Sequence, residues 1–500
     1  MPAPSSDTTL DDLRAGRLAG ATRLRLSGGL GAFPDEIFSL ADTLEVLDLS
    51  GNALSALPPD LHRLRRLRVL FCSGNPFTVL PAALGRCGSL EMIGFKSCRL
   101  REVPAEALPP RLRWLILTDN AIEALPAALG GCARLQKLML AGNRLAALPD
   151  SLAQCRALEL MRLAANRFET LPPWLGEMPA LAWLACAGNP LNAGADAAIA
   201  DVPWAELALG EALGEGASGV IHAARWPGHA DALAVKLFRG EMTSDGWPAS
   251  EMAAHLAAGA HPAIVPALGR VQGHPQGVQG LAMPRLGPEW RNLAGPPDFA
   301  TCTRDVYAAG LHLPAAAARA IARDVASAVA HLHARGLVHG DLYAHNILWR
   351  PAGEDGAQAL LGDFGAAALL PEGPARRMLQ RMEAAGLRPP AGRAAGAFGA
   401  AGARPAAPGR TAGALPGRRR RAAPRLRSDG TRTRRVSGPR RWHLRDLAGR
   451  RLRLKLRPSG PAPRRFRPHP RRRSPWTPRT SSRSRAARPS SPAARAASAA

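Results

Sequence analysis

LVHGDLYAHN, residues 337–346, with GDFG following at 362–365, is the part of this 500-residue sequence on which the reading of the rest depends. It sets Asp341 five residues before Asn346 and adds a second carboxylate, Asp363, beside a glycine that lets the backbone turn sharply. Asp341 can orient a hydroxyl and accept its proton. Asn346 and Asp363 offer the hard oxygen donors that Mg²⁺ prefers. DFG alone is a weak signal; HGDLxxxN followed by DFG is a strong one.

Five hundred residues leave room for two or three domains. The formal charge of +27 is unevenly spread. Residues 386–500 hold 31 Arg, 1 Lys and 2 Asp, a net of +30, so the first 385 residues carry a net of −3 and read as an ordinary globular body. Seven cysteines show no CxxC pair, and six fall at repeat positions, where they read as small apolar core residues rather than a disulfide framework. The N-terminus, MPAPSSDTTLDDLRAG, has no apolar leader, and no run of about 20 apolar residues could span a bilayer. The expectation is a cytoplasmic protein without a membrane segment.

Between residues 20 and 195 the asparagines Asn52, Asn75, Asn120, Asn143, Asn166 and Asn189 mark a period of 23, with Cys98 in the slot after Asn75 and an imperfect first unit around Gly29. Each unit reads like LEVLDLSGNALSALP (44–58) and is similar to the leucine-rich repeat, LxxLxLxxNxL. About eight such units stack their leucines into one core, while Asn or Cys bonds backbone at the turn after each strand. Residues flanking the fourth-position leucine then face the concave surface: Val46, Val69, Phe71, Met92, Trp114, Ile116, Met139, Leu160 and Trp183, with Asp48, Lys137 and Arg162 among them. So apolar a face is expected to bind a protein or peptide, chiefly through Val69, Phe71, Met92, Trp114, Ile116 and Trp183. Docking against the chain's own second domain and a merely apolar array without a partner are the alternatives.

After a linker at 196–204, LALGEALGEGASGVI (207–221) reads as strand, glycine-rich turn, strand, with Gly214, Gly216 and Gly219 in GxGxxG spacing. Because a strand follows rather than a helix, the turn fits a flap over phosphates better than a dinucleotide turn. LAVKLF puts Lys236 on an apolar strand, where an ammonium is costly unless paired. Glu251, in the helical pattern SEMAAHL, is the candidate partner, with Glu241 as a weaker substitute and a surface glutamate as the bland alternative. HPAIV at 261–265 closes that helix, and an alanine-rich helix at 314–334 leads through HLHARGLVHGDL into the opening stretch. In this order the segments resemble the protein kinase family, an α+β domain covering 205–385 after an α/β repeat solenoid. The resemblance implies ATP held by Gly214, Gly216, Gly219 and Lys236, with Glu251 pairing the lysine. It makes Asp341 the base, Asn346 and Asp363 the Mg²⁺ ligands, and a protein hydroxyl the acceptor, Ser/Thr in preference to Tyr. His339 reads as a structural hydrogen-bonding residue.

Two positions depart from that family. Gly340 stands where an arginine usually precedes the catalytic Asp, which argues against control by a phosphorylated activation segment. Tyr343 stands where a phosphate-contacting lysine is usual, so either another cation substitutes or transfer is slow. From 386 onward Arg, Pro, Ala, Gly and Ser dominate without hydrophobic periodicity, a composition expected to be disordered. No APE-type anchor follows Gly365, so the lower lobe reads as incomplete. An out-of-frame reading of a GC-rich gene accounts for both; a genuine basic tail would instead meet nucleic acid or serve only as a solvated linker. The rival to an active enzyme is a non-catalytic repeat scaffold carrying a nucleotide-binding remnant.

Overall fold

The computed structural model describes residues 10–387, apart from 193–199, 217, 228, 230, 241 and 355. Glu241 and the basic segment from 388 lie outside the described residues.

A short helix α1 (Leu10–Arg14) precedes eight three-residue strands, β1 (Arg23–Arg25), β2 (Val46–Asp48), β3 (Val69–Phe71), β4 (Met92–Gly94), β5 (Trp114–Ile116), β6 (Lys137–Met139), β7 (Leu160–Arg162) and β8 (Trp183–Ala185). They pair in parallel in sequence order as one solenoid sheet. The middle residue of each points into a leucine core, and Leu47, Leu70, Leu115 and Leu138 are fully buried. Asparagine closes each turn: Asn166 donates from Nδ2 to the Leu140 and Leu163 carbonyls at 2.9 and 3.1 Å and accepts from the Leu145 amide at 3.0 Å. Cys98 takes the same slot with a thiol 3.4 Å from the Cys72 carbonyl, a weaker donor in place of an amide. The flanking residues form two concave rows. In one, Val46, Val69, Met92, Trp114, Lys137, Leu160 and Trp183 stand in register, and in the other Asp48, Phe71, Gly94, Ile116, Met139, Arg162 and Ala185 do.

A mixed α/β region follows. Its strands are β9 (Asp201–Pro203), β10 (Ala208–Glu215), β11 (Gly219–Arg225), β12 (Leu233–Phe238), β13 (Gly269–Gln272) and β14 (Gly280–Pro284), in the order β10-β11-β12-β14-β13-β9. All neighbours are antiparallel except β9, which pairs in parallel with β13; part of the expected linker is therefore an edge strand. Helix α2 (Pro248–Ala258) starts with proline in its first turn, where the missing amide costs nothing. Beyond β15 (Arg291–Asn292), helix α3 (Ala315–Ala334) packs on the hairpin β17 (Ile347–Ala352) and β18 (Gly356–Leu361). A small ladder joins β16 (Leu337–Val338) to β19 (Ala368–Leu369), and α4 (Pro374–Gly386) is the last described element. Among the described residues no helix is long and apolar enough to cross a membrane.

The two regions share a core. Val338, Ala368, Leu370, Met378, Leu379 and Met382 from β16, β19 and α4 join the leucines of the repeats in one apolar cluster. The concave face, read as open for a partner, is largely covered by the chain itself. Val69, Met92 and Leu160 are buried, and Phe71, Trp114, Ile116 and Trp183 are half-buried. The segment 298–305 runs across it: Arg68 stacks over the Phe299 ring, and the Thr303 hydroxyl donates to Glu159 at 2.5 Å.

Candidate active site

The glycine turn, β12, α2 and the GDFG segment enclose a cavity of about 640 Å³, within the range of small-molecule and cofactor sites. Gly214 and Gly216 sit at its rim with open space where a Cβ would be, so the backbone there can approach a ligand. Gly219 has a different reason to be glycine: a Cβ would come within 2.2 Å of the Leu237 carbonyl across the β11–β12 pairing. On β12, Lys236 forms an ion pair with Glu251 of α2, the arrangement that makes an ammonium on an apolar strand tolerable. Both line the cavity, facing Asp363. Burial pushes the Glu251 carboxyl up, against the pull of Lys236.

The GDFG segment is held from both sides. Phe364 is buried, stacked 4.4 Å from the His255 ring at 13°, with His339 at 5.3 Å on another side. His339 accepts from the Asp341 amide at Nδ1, so its Nε2–H donates to the Gly362 carbonyl at 2.9 Å and fixes the tautomer. His255 donates from Nε2 to the Val265 carbonyl at 2.7 Å, and burial pulls its pKa down to about 4. Asp363 adopts φ +52°, a conformation Asp and Asn tolerate, which leaves its carboxylate exposed into the cavity.

Asp341 and Asn346 form one unit beside this. Asn346 Nδ2 donates to the Asp341 carbonyl at 2.9 Å and to its Oδ2 at 3.0 Å, which leaves Asn346 Oδ1 as the atom able to ligate a cation. The other Asp341 oxygen lies 2.5 Å from Arg162 of β7, a residue read from sequence only as part of the concave face. Arg162 also approaches Asp245 at 2.6 Å. Burial works against all three charges. Arg162 nonetheless outweighs it at Asp341, whose carboxyl stays below the ordinary range, whereas Asp245 is pushed up by burial. Asp245 lines the cavity and carries no motif that could have marked it. Asp305 was also missed: it accepts from the Ala344 amide at 2.7 Å and meets His345 at 2.6 Å, steadying the loop after Asp341. So was Glu383 of α4, which accepts from the Gly340 amide at 2.7 Å.

A family profile described as lipopolysaccharide kinase (Kdo/WaaP) matches residues 291–399. A leucine-rich-repeat profile matches residues 43–64. The chain thus joins leucine-rich repeats to a kinase-like region similar to the Kdo/WaaP family. A search of the curated proteins finds no match. Among solved structures, a leucine-rich-repeat protein of Leptospira interrogans is 24% identical with a TM-score of 0.30, over 37% of this chain and 60% of its own. The plant peptide hormone receptor RGFR1, in complex with RGF2, is 27% identical with a TM-score of 0.30, over 35% of this chain and 30% of its own.

Proposed function

We propose that the chain transfers a phosphoryl group from ATP to an acceptor hydroxyl. What supports this is the gathering of Lys236, Glu251 and Asp363 about one cavity beneath a glycine turn, with the Asp341–Asn346 unit tied to it through Arg162 and Asp245. The donor set fits a magnesium nucleotide: an ammonium and open glycine backbone for phosphates, and an exposed carboxylate with an amide oxygen for the metal. Bound there, Mg²⁺ supplies charge neutralisation to the transferring phosphate. Lys236 binds and orients phosphate oxygens, with Glu251 keeping the ammonium in place. The glycine turn covers the reacting end and excludes water. Asp341, kept ionised, accepts the acceptor's proton at its carboxylate.

For the acceptor we favour a protein Ser or Thr hydroxyl, presented by a partner on the repeat surface that the second domain leaves open, such as exposed Arg23 and Arg25 of β1. The Kdo/WaaP match favours a second reading, a sugar hydroxyl of a lipopolysaccharide. Incubating the full chain with radiolabelled ATP and Mg²⁺, with dephosphorylated casein in one arm and lipopolysaccharide in the other, separates them. Label in either arm, lost in Asp363→Asn, is the expected result; a wild-type chain that labels neither acceptor ends the proposal and leaves the repeat scaffold.

A further inference from the structure

Arg162 is 3% exposed, yet it belongs to a concave row otherwise made mostly of apolar and small residues. Its guanidinium divides between two carboxylates from different segments, Asp245, which lines the cavity, and Asp341. Asp245 lies on the segment entering α2, the helix that carries Glu251; Asp341 lies on the loop after β16. Nη2 donates to Asp341 and Nη1 to the Gly340 carbonyl at 3.3 Å, while the Nε contact with Asp245 is an ion pair without hydrogen-bond geometry. A planar fork can serve two carboxylates and a carbonyl at once, which a lysine ammonium at one point cannot do as well. Without it two poorly solvated like charges would face each other and drive their segments apart.

The same two segments meet the repeats at other points. Met242 packs on Gly142, and Gly246, at φ +131°, closes on Ala164. Tyr343 lies flat on Trp183, with ring centroids 4.2 Å apart at 12°. At Gly340, φ is +75°, and a Cβ would meet the Leu184 carbonyl of β8 at 2.8 Å and the Ala366 carbonyl at 2.7 Å. No side chain fits there because the Leu184 carbonyl of the repeats and the Ala366 carbonyl together fill the space. The two odd positions of the loop, Gly340 and Tyr343, are thus both fitted to the repeats, and the repeats return a cation to Asp341.

We infer that Arg162 is a positioning residue for phosphoryl transfer, supplied by the repeat domain to brace the entry of α2 against the loop that carries Asp341. This rests on the phosphotransferase reading above. The brace is a permanent part of the site, since the repeats and the second domain share one apolar core that separation would open to water. The other groups around Asp341 do not replace it. Lys137 of β6 is committed to the Trp114 ring at 4.1 Å, and His345 to Asp305; His339 accepts from the Asp341 amide.

The test compares the full wild-type chain with Arg162→Gln, Arg162→Lys, Arg162→Ala and Asp363→Asn, using the acceptor that wild type labels. Arg162→Gln is expected to lose about 30- to 300-fold in kcat while KM for ATP and the melting shift given by Mg²⁺ and ATP stay at wild-type values, the pattern of a lost transition-state arrangement. Arg162→Lys should fall between, and millimolar guanidinium should restore part of the Arg162→Ala activity where the same concentration of sodium chloride does not. Amide exchange should rise together at 242–247 and 339–345 in Arg162→Gln. An Arg162→Gln chain with kcat at or above wild type overturns the inference and makes the contact a brake on Asp341. A fall in kcat with loss of nucleotide-induced stabilisation and no guanidinium rescue overturns it too, as mere damage to the fold. A wild-type chain that transfers nothing overturns both the function and the inference, whereas an active wild type indifferent to Arg162 overturns the inference alone.

Discussion

Two cations are held about the site in opposite ways, half-buried Lys236 lining the cavity and buried Arg162 reaching it through Asp245. Lys236 sits on β12 against Glu251, fifteen residues away, inside one small sheet-and-helix unit. Arg162 sits on β7 against Asp341, 179 residues away, and against Asp245, so its partners arrive only when two regions dock. The first is a pair that local chain geometry makes almost by itself. The second is an interface pair in which each charge is tolerable only because the others are present. On the proposed function the lysine side would govern nucleotide chemistry, while the arginine side would link that chemistry to the repeats.

Substitutions can break or sharpen the contrast, the largest first. Asp363→Asn keeps a residue that tolerates φ +52° but removes the charge proposed to bind the metal; transfer should drop about 10³-fold with melting unchanged, as activity and calorimetry would show. Glu251→Gln strands the Lys236 ammonium, and urea unfolding should reveal a loss of about 3 kcal/mol that Lys236→Met largely restores.

His255 gives the lysine side a pH signature. Its folded pKa, about 4, lies below the ordinary value near 6.5, so the unfolded chain takes up the proton first and stability falls as pH drops through that window. Lys236, His339 and Asp363 are the charged or titratable groups facing it. Wild type should lose about 2–3 kcal/mol between pH 6.5 and 4 that His255→Gln does not lose, measured by melting across pH.

On the arginine side the repeat frame can be loosened without touching Arg162. Asn166→Ala removes buried bonds one turn beyond β7 and should cost about 2 kcal/mol, with kcat falling if that frame positions Arg162. Cys98→Asn, three repeats away, should instead add about 1 kcal/mol by supplying the missing amide and leave kcat unchanged.

The sequence was informative wherever the physics is local or periodic. A 23-residue spacing forces parallel strands with leucine inward, and eight such strands are present. GxGxxG followed by a strand, a lysine on that sheet, and Asp341 five residues before Asn346 each put chemistry within reach of its neighbours through short stretches of backbone. Glu251 could be matched to Lys236 because they lie on consecutive elements, β12 and α2. Asp245, Asp305 and Glu383 carry no such mark, because their partners are set by how loops fold back. The concave face shows the boundary best. Periodicity told which residues line it, Arg162 and Trp183 included, but what covers it depended on packing between regions far apart in the chain. Strand alternation assigns a side chain to a face, a one-dimensional rule. Pairing a buried charge needs partners in three dimensions, and here only the docking of the second domain on the repeats supplies them.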